Sequence, residues 1–180
     1  MRLEKHHAVA LCVDMQDRLF PHIHEHEALL LRCVTLIKGL QILAVPIVVT
    51  QQYTTGLGAT IAPIAAALGE FDPIEKMTFS CCGSDTVEAI LLGSARHAVI
   101  VFGIETHVCI LQTALDLKAQ GQNVYVVADC VASRNPQEKK VAIRRMRDAG
   151  ITITTTESIL FELLRRADTP EFKQISALVK

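Results

Sequence analysis

Cys109 stands in the run Thr106-His107-Val108-Cys109-Ile110-Leu111, where an apolar strand ends at Gly103 and an amphipathic helix begins. With Thr106 as N-cap, the thiol occupies the third helical position, where unpaired NH groups and the helix dipole favour a thiolate. Such a sulfur would attack a carbonyl, and the same NH groups would hold the resulting oxyanion. A buried, inert thiol is the competing reading, and helix position alone leaves both open. His107, the usual kind of base for a thiol, precedes Cys109 by two residues and points about 200° away round a helix. Asp14, closing the apolar run Ala8 to Val13, is a better-placed base; on local grounds it is equally a helix cap or turn residue. Lys76, in Ile74-Glu75-Lys76-Met77-Thr78-Phe79, would keep a carboxylate and a sulfur ionised together. Its alternative is a surface lysine paired with Glu75.

Bringing these three together requires a particular scaffold. Apolar, β-branched runs at Ala8 to Val13, Pro46 to Gln51, Lys76 to Phe79, Ala98 to Phe102, Asn123 to Ala128 and Ile151 to Thr155 read as strands. Helical patterns alternate with them at Glu27 to Leu43, Asp85 to Leu92, Thr106 to Ala119, Pro136 to Asp148, Glu157 to Arg165 and Pro170 to Leu178. The alternation predicts a three-layer α/β/α fold around a six-stranded, mainly parallel sheet of order 3-2-1-4-5-6. A crevice then opens at the carboxyl ends of strands 1 and 4, next to Asp14 and Cys109. Residues 52–58 read as a flexible loop that could wall the crevice, and residues 62–68 as core. No linker or repeat divides the chain, so a single domain over 1–180 is expected.

Composition narrows the function. The 180 residues carry a formal charge of −1, two tyrosines, six phenylalanines and no tryptophan. That is neither the basic footprint nor the stacking surface of a nucleic-acid binder. No apolar run reaches the ~20 residues of a membrane span, and no secretory signal is recognisable. The six cysteines lack disulfide-framework or zinc-knuckle spacing. A cytoplasmic protein with reduced thiols, acting on a small molecule without a cofactor, is the expectation. Cys12, Cys33 and Cys130 read as inert core thiols, and vicinal Cys81 and Cys82 as thiols with one facing the pocket. His22, His24 and His26 would share a face in an extended chain and could hold a transition metal, but a solvated loop is the plainer reading. Cys12 to Arg18 spells the C-x5-R of a phosphate loop, yet two acids stand inside it. Asp14 and Asp17 lack the D-x-D spacing of aspartyl phosphatases.

The motifs LCVDMQDRLF (11–20), EKMTFSCC (75–82), FGIETHVCILQTALDL (102–117) and VVADCVASR (126–134) resemble those of the isochorismatase-like cysteine hydrolases over nearly the whole chain. The small isochorismatase domain-containing members look most alike. The resemblance implies Cys109 as nucleophile, Asp14 as general base and acid, and Lys76 as electrostatic organiser. It also implies a cis peptide between Ile104 and Glu105, with the NH groups of Glu105 and Cys109 forming the oxyanion hole. Gln16, Phe20, Gln51, Tyr53, Phe79, Ile104 and Thr106 are expected around the substrate, and a homo-oligomer, dimer or larger, is implied. Nicotinamide-cleaving members carry an Asp-x-His metal site after strand 2, where this chain has Gln51-Gln52-Tyr53; no metal is expected. The activity implied is hydrolysis of a small amide, ester or thioester, most simply at a C–N bond, through an acyl-enzyme. Two alternatives are vinyl ether hydrolysis of the isochorismate type, with Asp14 as proton donor and Cys109 a bystander, and a non-catalytic oligomeric binding or scaffold protein.

Overall fold

Strand runs that are apolar on both faces must be covered on both faces, and the sheet obeys this. The computed structural model describes residues 2–93, of Leu92 the backbone alone, and 96–180. Met1, Ser94 and Ala95 of the expected 1–180 domain lie outside the described residues. The strands are β1 (Ala8–Val13), β2 (Ile47–Gln52), β3 (Ile74–Lys76), β4 (Ala98–Ile104), β5 (Asn123–Ala132) and β6 (Thr152–Thr154). They form one sheet in the order β3-β2-β1-β4-β5-β6, and the strand pairs are parallel. The helices are α1 (His26–Ile42), α2 (Thr54–Leu57), α3 (Ala62–Leu68), α4 (Asp85–Gly93), α5 (Leu111–Ala119), α6 (Pro136–Asp148), α7 (Thr156–Leu164) and α8 (Pro170–Leu178).

Alternation along the strands divides the interior in two. Ala8, Ala10 and Cys12 face a core shared with α1, α3 and α7, whereas Val9, Leu11 and Val13 face one shared with α4, α5 and α6. Cys33 and Cys130 are buried with Cys12, as inert thiols should be; Cys33 donates to the Cys130 carbonyl at 3.6 Å. Ile64 and Leu68 of α3 are also core. Among the described residues no helix is long and apolar enough to cross a membrane.

Three local expectations are corrected. The third strand is Ile74–Lys76 and ends at Lys76 where it was expected to begin; its hydrogen bonds run to residues 50–52 of β2, and the chain then turns away. Residues 54–57 form a helical turn rather than loop. β5 continues to Ala132, past a register shift opposite Val101 and Gly103.

β1 and β4 are neighbours, with Val13 opposite Gly103. Gly103 has φ of 120°, and a Cβ there would fall 2.2 Å from the Val13 carbonyl oxygen. Only glycine lets the two strands stay this close where the crevice opens.

Candidate active site

Asp14 follows β1 in the left-handed region, with φ of 50°, a conformation that aspartate tolerates better than most residues. The bend carries its carboxylate over the end of the sheet, where it is wholly buried. Oδ1 accepts from the Thr50 hydroxyl at 2.8 Å and Oδ2 from the Lys76 ammonium at 2.7 Å. Lys76 reaches this point because β3 ends beside β2, and its Nζ also donates to Gln52 Oε1 at 2.8 Å and to the Thr78 and Phe79 carbonyls at 3.2 Å. Neither charge meets water, so each depends on the other and on these oxygens. Glu75 instead faces outward and accepts from the Thr54 NH at 2.8 Å.

Cys109 enters from the other side. Residues 106–110 form a single wide π-turn, Thr106–Ile110, between β4 and α5, with the NH of Ile110 reaching back to the Glu105 carbonyl at 3.2 Å. The expected cap is therefore corrected: Glu105 precedes the turn, and Thr106, its first residue, is buried with no hydrogen-bond partner for its hydroxyl among the described residues. Cys109 is 5% exposed and lines the same cavity as Asp14. Burial pushes its pKa well above the ordinary thiol value, the Asp14 charge pushes it further, and Lys76 only partly opposes them. Desolvation thus opposes the thiolate expected at a helix start.

Asp14, Cys109, Glu105 and Phe79 line one cavity of about 140 Å³, together with Leu19, Gln52, Leu57 and Val108. The Ile104–Glu105 peptide is cis. The Glu105 carboxylate accepts from the Arg134 NH at 2.9 Å and from Arg134 Nε at 3.1 Å. His107 turns away from the thiol and shares a 2.9 Å hydrogen bond with the Ser133 hydroxyl. A larger open groove lies alongside, bordered by Cys82 and sharing Phe79, but Asp14 and Cys109 do not line it.

Other residues expected around a substrate lie elsewhere. Gln16 is fully buried and spends its amide on the Gln52 backbone and the Gly58 carbonyl. Gln51 pairs with Thr60 and Thr54. Phe20 and Ile104 belong to the core, and Tyr53, with φ of 39°, lies 47% exposed outside the cavity. Of Thr106 the structure shows burial but no place in the cavity lining. Cys81, rather than Cys82, is the thiol near Asp14, its sulfur 3.9 Å from Thr50 Oγ1. The histidine run does not converge: His26 sits edge-on to Phe20 with Nδ1 3.2 Å from the Ile23 carbonyl, and His24 leans on Glu25. Among the described residues no three His, Cys, Asp or Glu side chains gather as a metal site.

Gln52 and Leu57 fall in the 52–58 stretch expected to wall the crevice, whereas sequence reasoning missed Thr50, Leu19, Val108 and Arg134. Thr50 and Gln52 flank Gln51 at the end of β2, so their position beside the crevice was available. Arg134 closes a motif that was noticed but given no role.

Comparison with known proteins converges on one family. A model of the isochorismatase domain matches residues 8–158. Isochorismatase domain-containing protein 1 of Danio rerio is 37% identical over 173 residues, which cover 96% of this chain and 61% of that protein; the chain thus spans about three fifths of its length. The secreted isochorismatase effector Isc1 of Phytophthora sojae is 36% identical, covering 99% of this chain and 87% of the effector. Among solved structures, the MAR1 ribonuclease of Caenorhabditis elegans superposes with a TM-score of 0.93 at 34% identity, covering 99% of this chain and 92% of that one.

Proposed function

Because the chain belongs to the isochorismatase family, we propose that it is a cysteine hydrolase in which Cys109, Asp14 and Lys76 cleave a small amide, ester or thioester through an acyl-enzyme. The observation that carries this reading is the Asp14 carboxylate, held by Lys76 at 2.7 Å in a cavity that Cys109 also lines.

As the sulfur attacks a substrate carbonyl, its proton passes to Asp14, which lines the same cavity. The raised thiol pKa makes this transfer part of the attack rather than a prior ionisation. NH groups of Glu105 and Cys109, two residues that line the cavity, hold the oxyanion. Asp14 returns the proton to the departing nitrogen, oxygen or sulfur as that bond breaks, leaving a thioester. Water then gives a proton to Asp14 and attacks the thioester, and the sulfur leaves with that proton. Lys76 keeps its own proton throughout and keeps Asp14 oriented. No metal or cofactor enters the steps. A cavity of about 140 Å³, below the range of drug-sized ligand sites, limits the acyl group to a few heavy atoms. That size and the −1 charge argue for a small-molecule substrate and against nucleic acid. The six free thiols suit a cytoplasmic setting, and a homo-oligomer belongs to the same reading.

Incubation with short-chain amides, esters and thioesters, quenched on the millisecond scale and weighed as intact protein, tests the proposal. The expected result is an acyl adduct on Cys109 with hydrolytic turnover, both lost in Cys109→Ala and Asp14→Asn. Turnover that survives Cys109→Ala would defeat the covalent route, and RNA cleavage abolished by the same replacement would defeat the substrate class.

A further inference from the structure

Lys76 ends in an ammonium on a flexible four-carbon stem, yet the proposed chemistry needs its charge committed to one carboxylate. Four oxygens surround Nζ, and one of them, Gln52 Oε1 at 2.8 Å, belongs to a side chain on the cavity wall. Gln52 and Lys76 are register partners at the ends of β2 and β3. An ammonium can only donate, so the amide oxygen must face it; the amide nitrogen then donates to the Met77 carbonyl at 2.8 Å. Both ends of the amide are thus engaged within the protein.

Its backbone is held as firmly. Gln16, two residues beyond Asp14, accepts from the Gln52 NH at 2.7 Å and donates to the Gln52 carbonyl at 3.0 Å. A continuous rail therefore runs from Gln16 through Gln52 and Lys76 back to Asp14.

We propose that Gln52 is a positioning residue of the active site, whose neutral amide fixes the Lys76 ammonium against Asp14 without competing for its charge. The inference rests on the hydrolase reading and adds to it why a glutamine rather than a carboxylate stands here. The ionisable groups about Asp14 are Lys76 from β3, Cys109 from the π-turn, Cys81 from the turn after β3, Cys12 from β1, and Glu105 across the cavity, itself paired with Arg134. A carboxylate at position 52 would be a second anion on Lys76, and it would disfavour the ionised form of Asp14.

The test follows iodoacetamide labelling of Cys109, read by peptide mass from pH 4 to 8, in the parent, Asp14→Asn, Gln52→Glu and Gln52→Met. Gln52→Glu is expected to move the acid limb of the rate profile up by about one pH unit. Gln52→Met, similar in length but without the acceptor, is expected to keep the limb in place and lower the plateau about fivefold. A merely structural glutamine would move thermal stability in both variants and neither feature of the profile. An unmoved limb in Gln52→Glu overturns the inference, and if that variant does not fold, an unchanged plateau in Gln52→Met overturns it instead. Should Asp14→Asn retain the parental limb, Asp14 is not the base, and the hydrolase reading falls together with this inference. A limb abolished in Asp14→Asn but unmoved in Gln52→Glu sinks the inference alone.

Discussion

Lys76 Nζ lies 2.7 Å from Asp14 Oδ2 with both side chains fully shielded from water, although 62 positions separate them in the chain. Removing one partner strands the other charge in the interior. Lys76→Ala is expected to lower the free energy of unfolding by about 3–5 kcal/mol, while the double variant Asp14→Asn, Lys76→Met loses markedly less. Urea denaturation of the two variants beside the parent measures the difference; equal losses would show that the pair is not coupled.

Alkaline stability follows from the thiols. Burial raises Cys81 from the ordinary value of 9.0 to about 11. A folded-state pKa above the unfolded one stabilises fully below pH 9 and loses that contribution as pH climbs through about 11. The parent should keep a nearly constant urea midpoint from pH 7 to 9 and lose stability between pH 9 and 11, with Cys81 alone contributing on the order of 2–3 kcal/mol of that loss beside the other buried thiols. In Cys81→Ala the fall over that interval should be shallower, whatever its starting stability.

Gly103 meets β1 too closely for any side chain. Gly103→Ala places its Cβ 2.2 Å from the Val13 carbonyl oxygen at φ of 120°, against backbone that cannot swing aside. A loss of about 3 kcal/mol or more is expected, visible as a lowered melting temperature. A variant as stable as the parent would contradict the close approach of β1 and β4.

Arg134 separates activity from stability. Its side chain is 61% exposed, and Glu105 keeps the Arg134 NH at 2.9 Å when the guanidinium is removed. Arg134→Ala should therefore change unfolding free energy by less than about 1 kcal/mol. Because Glu105 lines the cavity and its carbonyl anchors the π-turn bearing Cys109, kcat should fall about tenfold with little change in KM. Arg134→Lys, without the guanidinium's fork, should recover only part of it. Equal loss in KM would point to substrate binding instead.

Elements with strong local signals were legible along the chain. Pro136–Asp148 and Pro170–Leu178 match their expected limits, because proline at the first helical turn and apolar periodicity are local properties. The strand order followed from alternation and right-handed crossovers. The surroundings of the cavity were not legible in this way. Gln16 and Gln52 are both polar residues at strand ends, yet one is consumed by backbone contacts and the other touches Lys76. Which glutamine does which depends on the register between β2 and β3, set by pairing across the sheet.

Residue types and their order determined that a carboxylate, an ammonium and a sulfur would be carried to the carboxyl end of a parallel sheet, since strand periodicity and crossover handedness act over short stretches. The surroundings of that sulfur were decided only by the folded chain. Helix position argued for a thiolate, whereas desolvation and the nearby Asp14 charge push the Cys109 pKa up. Water exclusion is a property of everything packed around a group, and no local window of sequence contains it.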